Sequence, residues 1–180
     1  MPAPSPPPNA MTARLPLLPL LLVSLLLAAC SHKHAEGAWT KAHWGMSVAE
    51  VRGAVPAAAT GAGGHIVTGA TAELHLDKTE VAGTTLPADF YFLDGKLTQI
   101  SFNEDAYHDN EVNAKAFDRI AGVLRKQFGP EASSKVADSS LIGLSRDTTW
   151  VAGDTEILLG VAPVTGATSM LLLNYRRAVR

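Results

Sequence analysis

Cysteine is almost absent: the 180 residues contain one, Cys30. No fold of this chain can hold an internal disulfide, even in an oxidising compartment. Charge is sparse and nearly balanced. Fifteen Lys and Arg against 17 Asp and Glu leave −2, which argues against the concentrated basic footprint of a nucleic-acid surface. Catalytic signatures are missing as well. The chain has no G-x-S-x-G elbow and no H-E-x-x-H pair. The glycine-rich stretch "AAATGAGGHIVTG", residues 57–69, has no Lys-Ser/Thr pair after its last glycine. No helix start follows to receive an anion, so it reads as a flexible connector and not as a phosphate loop.

Charge is also missing from "LPLLPLLLVSLLLAA", residues 15–29. A spanning helix needs roughly 20 apolar residues, and this run is shorter. Pro16 and Pro19 each remove a helix donor. A cleaved export signal needs only about 7–15 apolar residues followed by small ones. With the polar start "MTAR" before it, the segment reads as such a signal, 1–29, with Met11 favoured as the true start. Residues 1–10, "MPAPSPPPNA", hold five prolines and no charged side chain.

The signal ends in Leu27-Ala28-Ala29-Cys30, which resembles the lipobox of bacterial lipoproteins. That resemblance implies cleavage before Cys30, lipid on its sulfur, and acylation of the new amino terminus. A single acyl chain holds a membrane only marginally, so stable anchoring takes two or more. Serine, not aspartate, follows at position 31. In a Gram-negative host this resembles sorting to the outer membrane, facing the periplasm.

Lipidation of Cys30 leaves no thiol nucleophile. After residue 29 the chain keeps all its acidic residues and every basic one except Arg14, a balance of −3. Residues 30–38 are small and polar and read as a lipidated tether. His32 and His34 flank Lys33 there, a spacing that suits a solvated linker better than a metal site. Residues 39–180 are the right size for one domain. A domain of roughly 150 residues buries close to 70% of its unfolded surface, enough for a core without staples.

Within that domain Ser47 and Glu50 form a capping-box pattern, with Met46 and Val51 placed for a hydrophobic staple. Pro56 closes the helix, so the pattern predicts Val48–Val55. "TAELHLD", residues 71–77, alternates: Ala72, Leu74 and Leu76 on one face, Glu73, His75 and Asp77 on the solvent face. A shorter extended piece is expected near Glu80–Ala82. "DFYFLDGKLTQISF" is a hairpin about Asp94-Gly95. A two-residue loop pairs Phe92 with Leu97 but turns Ile100 and Phe102 away from Phe90 and Phe92. A three-residue loop with a bulge at Gly95 unites the four and is the expected register. A helix is predicted over Asn110–Phe128, with Val112, Ala116, Phe117, Ile120, Ala121, Leu124 and Phe128 as its apolar stripe. Asp109 or Asn110 caps it, Gly129-Pro130 stops it, and Gly122 is expected to allow a close packing contact. Two strands about Gly153-Asp154 and a last strand, "SMLLLNYRR", complete the chain. The run Leu171–Leu173 suits a central strand covered on both faces or one at a domain edge.

The order helix, strands, helix, strands predicts a two-layer α+β domain: an antiparallel sheet with two helices, arranged as tandem helix-plus-sheet units. Several short pieces strengthen this. They are W-G-M-S-x-x-E-V at Trp44–Val51, F-x-F-x-D-G-K-L at Phe90–Leu97, the L-x-x-x-F-G end with its proline at Leu124–Pro130, Trp150, and I-x-L at Ile157–Leu159. The pattern resembles small bacterial envelope domains of the BamE-like and β-lactamase-inhibitor-protein-like lipoproteins. The resemblance implies a role in binding other proteins; it assigns no site.

The most polar cluster is Glu104, Asp105, His108, Asp109 and Glu111. Hard oxygens and a histidine suit a cation, but the spacing is not that of an EF-hand, and acidic residues at a helix start are favoured by the macrodipole alone. Trp39 and Trp44 follow the tether, as core anchors or as contacts to headgroups or a partner. The leading expectation is a non-catalytic envelope lipoprotein, membrane-anchored through Cys30, that binds another envelope protein as assembly factor, scaffold or inhibitor. It needs no cofactor. The alternative is a small-ligand or metal-binding periplasmic sensor using residues 104–111; a hydrolase ranks last.

Overall fold

The computed structural model describes residues 1–2, 38–104, 106–139 and 143–178. The export signal, Cys30, His32 and His34 lie outside the described residues, as does Asp105. The chain divides into Met1–Ser31 and His32–Arg180, and the fold below is that of the second unit.

A 3-10 turn (Ala38–Lys41) precedes helix α1 (Val48–Ala54) and the strands β1 (Ala59–Thr60), β2 (Thr71–Val81), β3 (Thr84–Leu93), β4 (Lys96–Asn103) and β5 (His108–Asp109). Helix α2 (Asn110–Phe128) follows, then β6 (Ser133–Ser139), β7 (Gly143–Ala152), β8 (Thr155–Pro163) and β9 (Thr168–Arg177). One antiparallel sheet runs β1-β2-β3-β4-β9-β8-β7-β6, with β5 added to β9. Each helix is thus followed by its own meander, and the two meanders join at β4–β9. The domain is α+β and two-layered.

Both helices cover the same face. Val51 of α1 and Phe117, Ile120 and Leu124 of α2 belong to one buried cluster with Leu74, Phe90, Phe102, Ile157, Leu159, Leu171 and Leu173 of the sheet. Along β9 burial alternates, Leu171 and Leu173 inward and Leu172 half-buried on the other side. The leucine run is therefore central but covered on one face, a correction to the expectation of two covers or a domain edge.

Local signals are realised where neighbouring residues supply both partners. The Ser47 hydroxyl accepts from the Glu50 amide at 3.3 Å, and the Ser47 amide donates to Glu50 Oε2 at 2.7 Å. The helix stops one residue before the expected Val55, whose backbone has left the α region ahead of Pro56 (φ −125°, ψ 73°). Helix α2 spans the expected residues. Its stripe holds except at Val112, which is 52% exposed; Asn113 is buried in its place. Gly122 has no atom within 4 Å of where a Cβ would stand, so it serves no close contact. Asp109 occupies the cap position without a side-chain cap bond, and Asn110 Nδ2 donates instead to the Gly166 carbonyl at 3.0 Å.

The hairpin register is a second correction. Leu93 pairs with Lys96, leaving a two-residue turn at Asp94-Gly95 with both φ positive, 51° and 71°. Phe92 faces Leu97, as that turn requires, yet Phe90 faces Ile100. The bulge lies at Thr98, between those pairs, and not at Gly95. It restores the phase, so Phe90, Phe92, Ile100 and Phe102 still share the core face.

The glycine-rich connector is not loose. Gly61 and Gly63 amides donate to Glu73 and Ala72 carbonyls at 2.8 and 3.0 Å, and Ala72 donates to Gly64 at 2.8 Å. A Cβ at Gly61 would stand 2.4 Å from the Ala72 oxygen, so only glycine permits this approach. A register shift after Ala72 places it opposite Tyr91; it is buried but outside the core cluster that holds Leu74 and Leu76. The expected short piece near Glu80 is the end of β2 itself. Strand β6, exposed along its described side chains with Val136 as its one large apolar residue, had no apolar alternation to announce it.

Candidate functional site

A cleft of about 630 Å³ opens where three segments meet: the aromatic turn at Trp39–Trp44, the end of α2, and the β7–β8 turn. Each is fixed by a long-range bond. Gly45 and Met46 exchange main-chain bonds with Leu97 at 2.9 and 2.8 Å, which adds this segment to the start of β4. Trp44 Nε1 donates to Thr155 Oγ1 at 2.8 Å, tying the turn to the start of β8. Gly129, in the left-handed region at φ 85°, ends α2, and Trp150 Nε1 donates to its carbonyl at 3.2 Å.

Ile100 and Tyr175 also line the cleft. Trp39, Phe102 and Tyr175 form an aromatic cluster, with ring centroids 4.8, 5.0 and 5.9 Å apart. Trp39 is 6% exposed and Tyr175 5%. Trp39 is thus a core anchor, whereas Trp44 is half-buried at the rim. Three of the lining residues carry side-chain atoms that are buried behind the cleft surface with no hydrogen-bond partner: Trp39 Nε1, both polar atoms of the Gln127 carboxamide, and the Tyr175 hydroxyl. Burial pushes the Tyr175 phenol well above its ordinary range, so it stays a neutral donor and acceptor. No lysine or arginine lines the cleft among the described residues; its other titratable side chains are His43 and Asp154.

The second surface is the sheet face opposite the helices. Strand register places Leu158, Met170 and Leu172 there, half-buried, with Asn103, Ser101 and Asn174 beside them. Toward β2 it turns acidic. His75 Nδ1 lies 2.8 Å from Asp89 Oδ1 and its Nε2 lies 3.3 Å from Asp77 Oδ1. His75 is therefore on the outward face, as the alternation predicts. Tyr91 stands next to this group, its phenol raised by burial first and by Asp89 second.

Of the described members of the acidic segment only Glu104 and His108 approach each other. Glu104 Oε2 accepts from the Leu171 amide at 3.1 Å, and its other oxygen lies 3.9 Å from His108 Nε2. Glu111 pairs with Lys115 at 2.6 Å, and Asp109 sits at the helix cap. Among the described residues no group of three or more His, Cys, Asp or Glu is placed to hold a metal ion. No described helix is long and apolar enough to cross a membrane.

Sequence reasoning missed Gln127 and Tyr175. Gln127 stands three residues past Leu124, on the path of the apolar stripe, and a polar residue there was the available signal. Tyr175 reads as one more inward position of β9. No family model, curated protein or solved structure matches the chain.

Proposed function

We propose that this protein is a non-catalytic envelope lipoprotein, held to the membrane through Cys30, that binds another envelope protein on the uncovered face of its sheet. The observation that carries this is the strip of Leu158, Met170 and Leu172, which no described element covers, framed by amides, hydroxyls and the acidic corner at Asp77 and Asp89. Apolar centres with polar rims are how protein interfaces are built. The edge strand β6 suits pairing less well, because Lys135 and Asp138 blunt it.

The test is site-specific photocrosslinking in cells. A crosslinker at Leu172 should give one covalent adduct with a defined envelope protein, and one at Lys126, an exposed position on α2, should not. Met170→Asp should abolish the adduct while the thermal transition persists. Labelling with a radioactive fatty acid should mark the wild type and leave Cys30→Ala unlabelled. An adduct equally strong from Lys126, or none from Leu172, overturns the docking surface; label retained on Cys30→Ala overturns the anchor.

A further inference from the structure

We infer that the end of the domain beside Trp39 docks on the headgroups of an anionic bilayer, so that the strands stand along the membrane normal and the uncovered sheet face looks sideways. This rests on the anchor at Cys30 proposed above. Its first support is length. Eight residues, 31–38, lead from Cys30 to Ala38, and they reach at most about 28 Å. Trp39 shares its cleft with Gln127 and Phe128 at the end of α2. That helix holds 19 residues, so its start lies about 28 Å further on. A tether drawn out beside α2 is exhausted before the far end of the domain meets lipid.

Charge selects the same end. Strand register gathers the β3–β4 turn, the β7–β8 turn and the end of β9 there. Lys41, Lys126 and Arg177 are exposed at this end and form no ion pair among the described residues. Glu131 and Glu156 are matched by Arg125 and Arg176, and Lys96 stands against Glu50, which leaves Asp94 and Asp154. At the far end Glu80, Glu104, Asp109, Glu111 and Asp138 outweigh Lys78, Lys115 and Arg119. The open sheet face is acidic too, at Asp77 and Asp89. An anionic surface attracts nearby Lys and Arg within a Debye length, so it favours the near end over both. Apolar tips accompany these cations. Val67 is fully exposed on the turn Ile66–Gly69, and a Cβ at Gly69 would stand 4.0 Å from Leu93 Cδ1, which sets that turn beside the β3–β4 turn. Val151 is 59% exposed before the β7–β8 turn, and half-buried Trp44 shares its cleft. Tryptophan and short apolar side chains flanked by cations suit the headgroup boundary. Tyr107 and Val112 are also exposed, but among the carboxylates of the far end.

The test uses the lipoprotein as purified from the membrane, its mass first establishing the lipid on Cys30. It is reconstituted in vesicles of about three parts phosphatidylethanolamine to one of phosphatidylglycerol, an anionic surface. Val67→Cys, Val151→Cys and Val112→Cys each supply one thiol at an exposed position for a fluorescent label, and a lipid with a nitroxide on its headgroup is the quencher. Labels at 67 and 151 should lose most of their fluorescence and the label at 112 little. Replacing Lys41, Lys126 and Arg177 together by glutamate should erase that difference while the lipid mass is unchanged. Equal quenching at all three sites, stronger quenching at 112, or none anywhere overturns the docking while the anchor stands. A difference that survives the triple replacement overturns the role of the three cations. A bare Cys30 thiol overturns the anchor, and this orientation with it.

Discussion

Deleting one residue from a β-strand turns every side chain beyond it to the other face, so the usual expectation for a deletion in β4 is collapse. The structure predicts an exception at Thr98. Leu97 faces Phe92 and Gln99 faces Tyr91, which leaves Thr98 as the extra residue of the bulge. Without it, Leu97, Gln99 and Ile100 follow the plain inward, outward, inward alternation, and Phe102 remains in the core. The identifiable side-chain loss is the bond from Thr98 Oγ1 to the Tyr91 carbonyl at 3.3 Å, worth about 0.5–1.5 kcal/mol. Deleting Ser101, three residues on, has no such escape. It rotates Phe102, 0% exposed, to the outer face and removes its ring contacts with Trp39 and Tyr175. Loss of a buried Phe side chain alone costs about 3–5 kcal/mol, against a total stability of roughly 5–15 kcal/mol for a whole domain. Urea titrations followed by tryptophan fluorescence compare the two. The Thr98 deletion should unfold cooperatively at a modestly lower midpoint, whereas the Ser101 deletion should show no native baseline. Equal damage from both would refute the assignment of Thr98 as the residue that resets the phase.

Gly122→Ala should stabilise the domain by about 1 kcal/mol, because helix propensity improves and no atom obstructs the new methyl; a lower thermal midpoint would contradict this. Asn113→Asp should destabilise at neutral pH, since Asn113 Nδ2 donates to the Ser169 carbonyl at 2.9 Å and a carboxylate cannot. Burial makes the introduced carboxyl hold its proton more tightly in the folded state. Stability is then fullest below the unfolded value and is lost as pH rises, by about 1.4 kcal/mol for each tenfold gain in proton affinity on folding. Melting curves from pH 4 to 8 should diverge from wild type toward the alkaline end; parallel curves refute it. The Glu50 carboxyl lies below its ordinary value of 4.5, chiefly through the Ser47 amide and next through the Ser47 hydroxyl. That contribution is complete above the unfolded value and fades as pH falls through the folded one, so Glu50→Gln should soften the acid limb of the stability curve. An unchanged acid limb counts against the capping box as its source.

Much of the fold was legible because its signals are local. Ser47 reads Glu50 three residues away, and the α2 stripe from Ala116 to Leu124 needs only helical spacing. Val112 and Gly122 misled because spacing places a residue on a face without saying how far the sheet reaches beneath it. At the hairpin the right face was inferred for Phe90, Phe92, Ile100 and Phe102 through the wrong bulge. Several loop-and-bulge combinations satisfy one apolar set, and the choice between them depends on pairing along both edges of β4. The glycine connector was misread because its partners are main-chain groups of β2, which no side-chain pattern encodes.

By itself the sequence determined both helices, the longer strands other than β6, the order of helices and meanders, and the inward set of most of those strands. These follow from capping, stopping and periodicity within a few residues. Tertiary structure alone decided that both helices lie on one face, that β4 and β9 join the halves, and that a cleft forms with Trp39, Gln127 and Tyr175 along its wall. Trp44 meets Thr155 across 111 positions, and Asn113 meets Ser169 across 56. Contacts at such separation are set by how the layers pack, which no short window of residues contains.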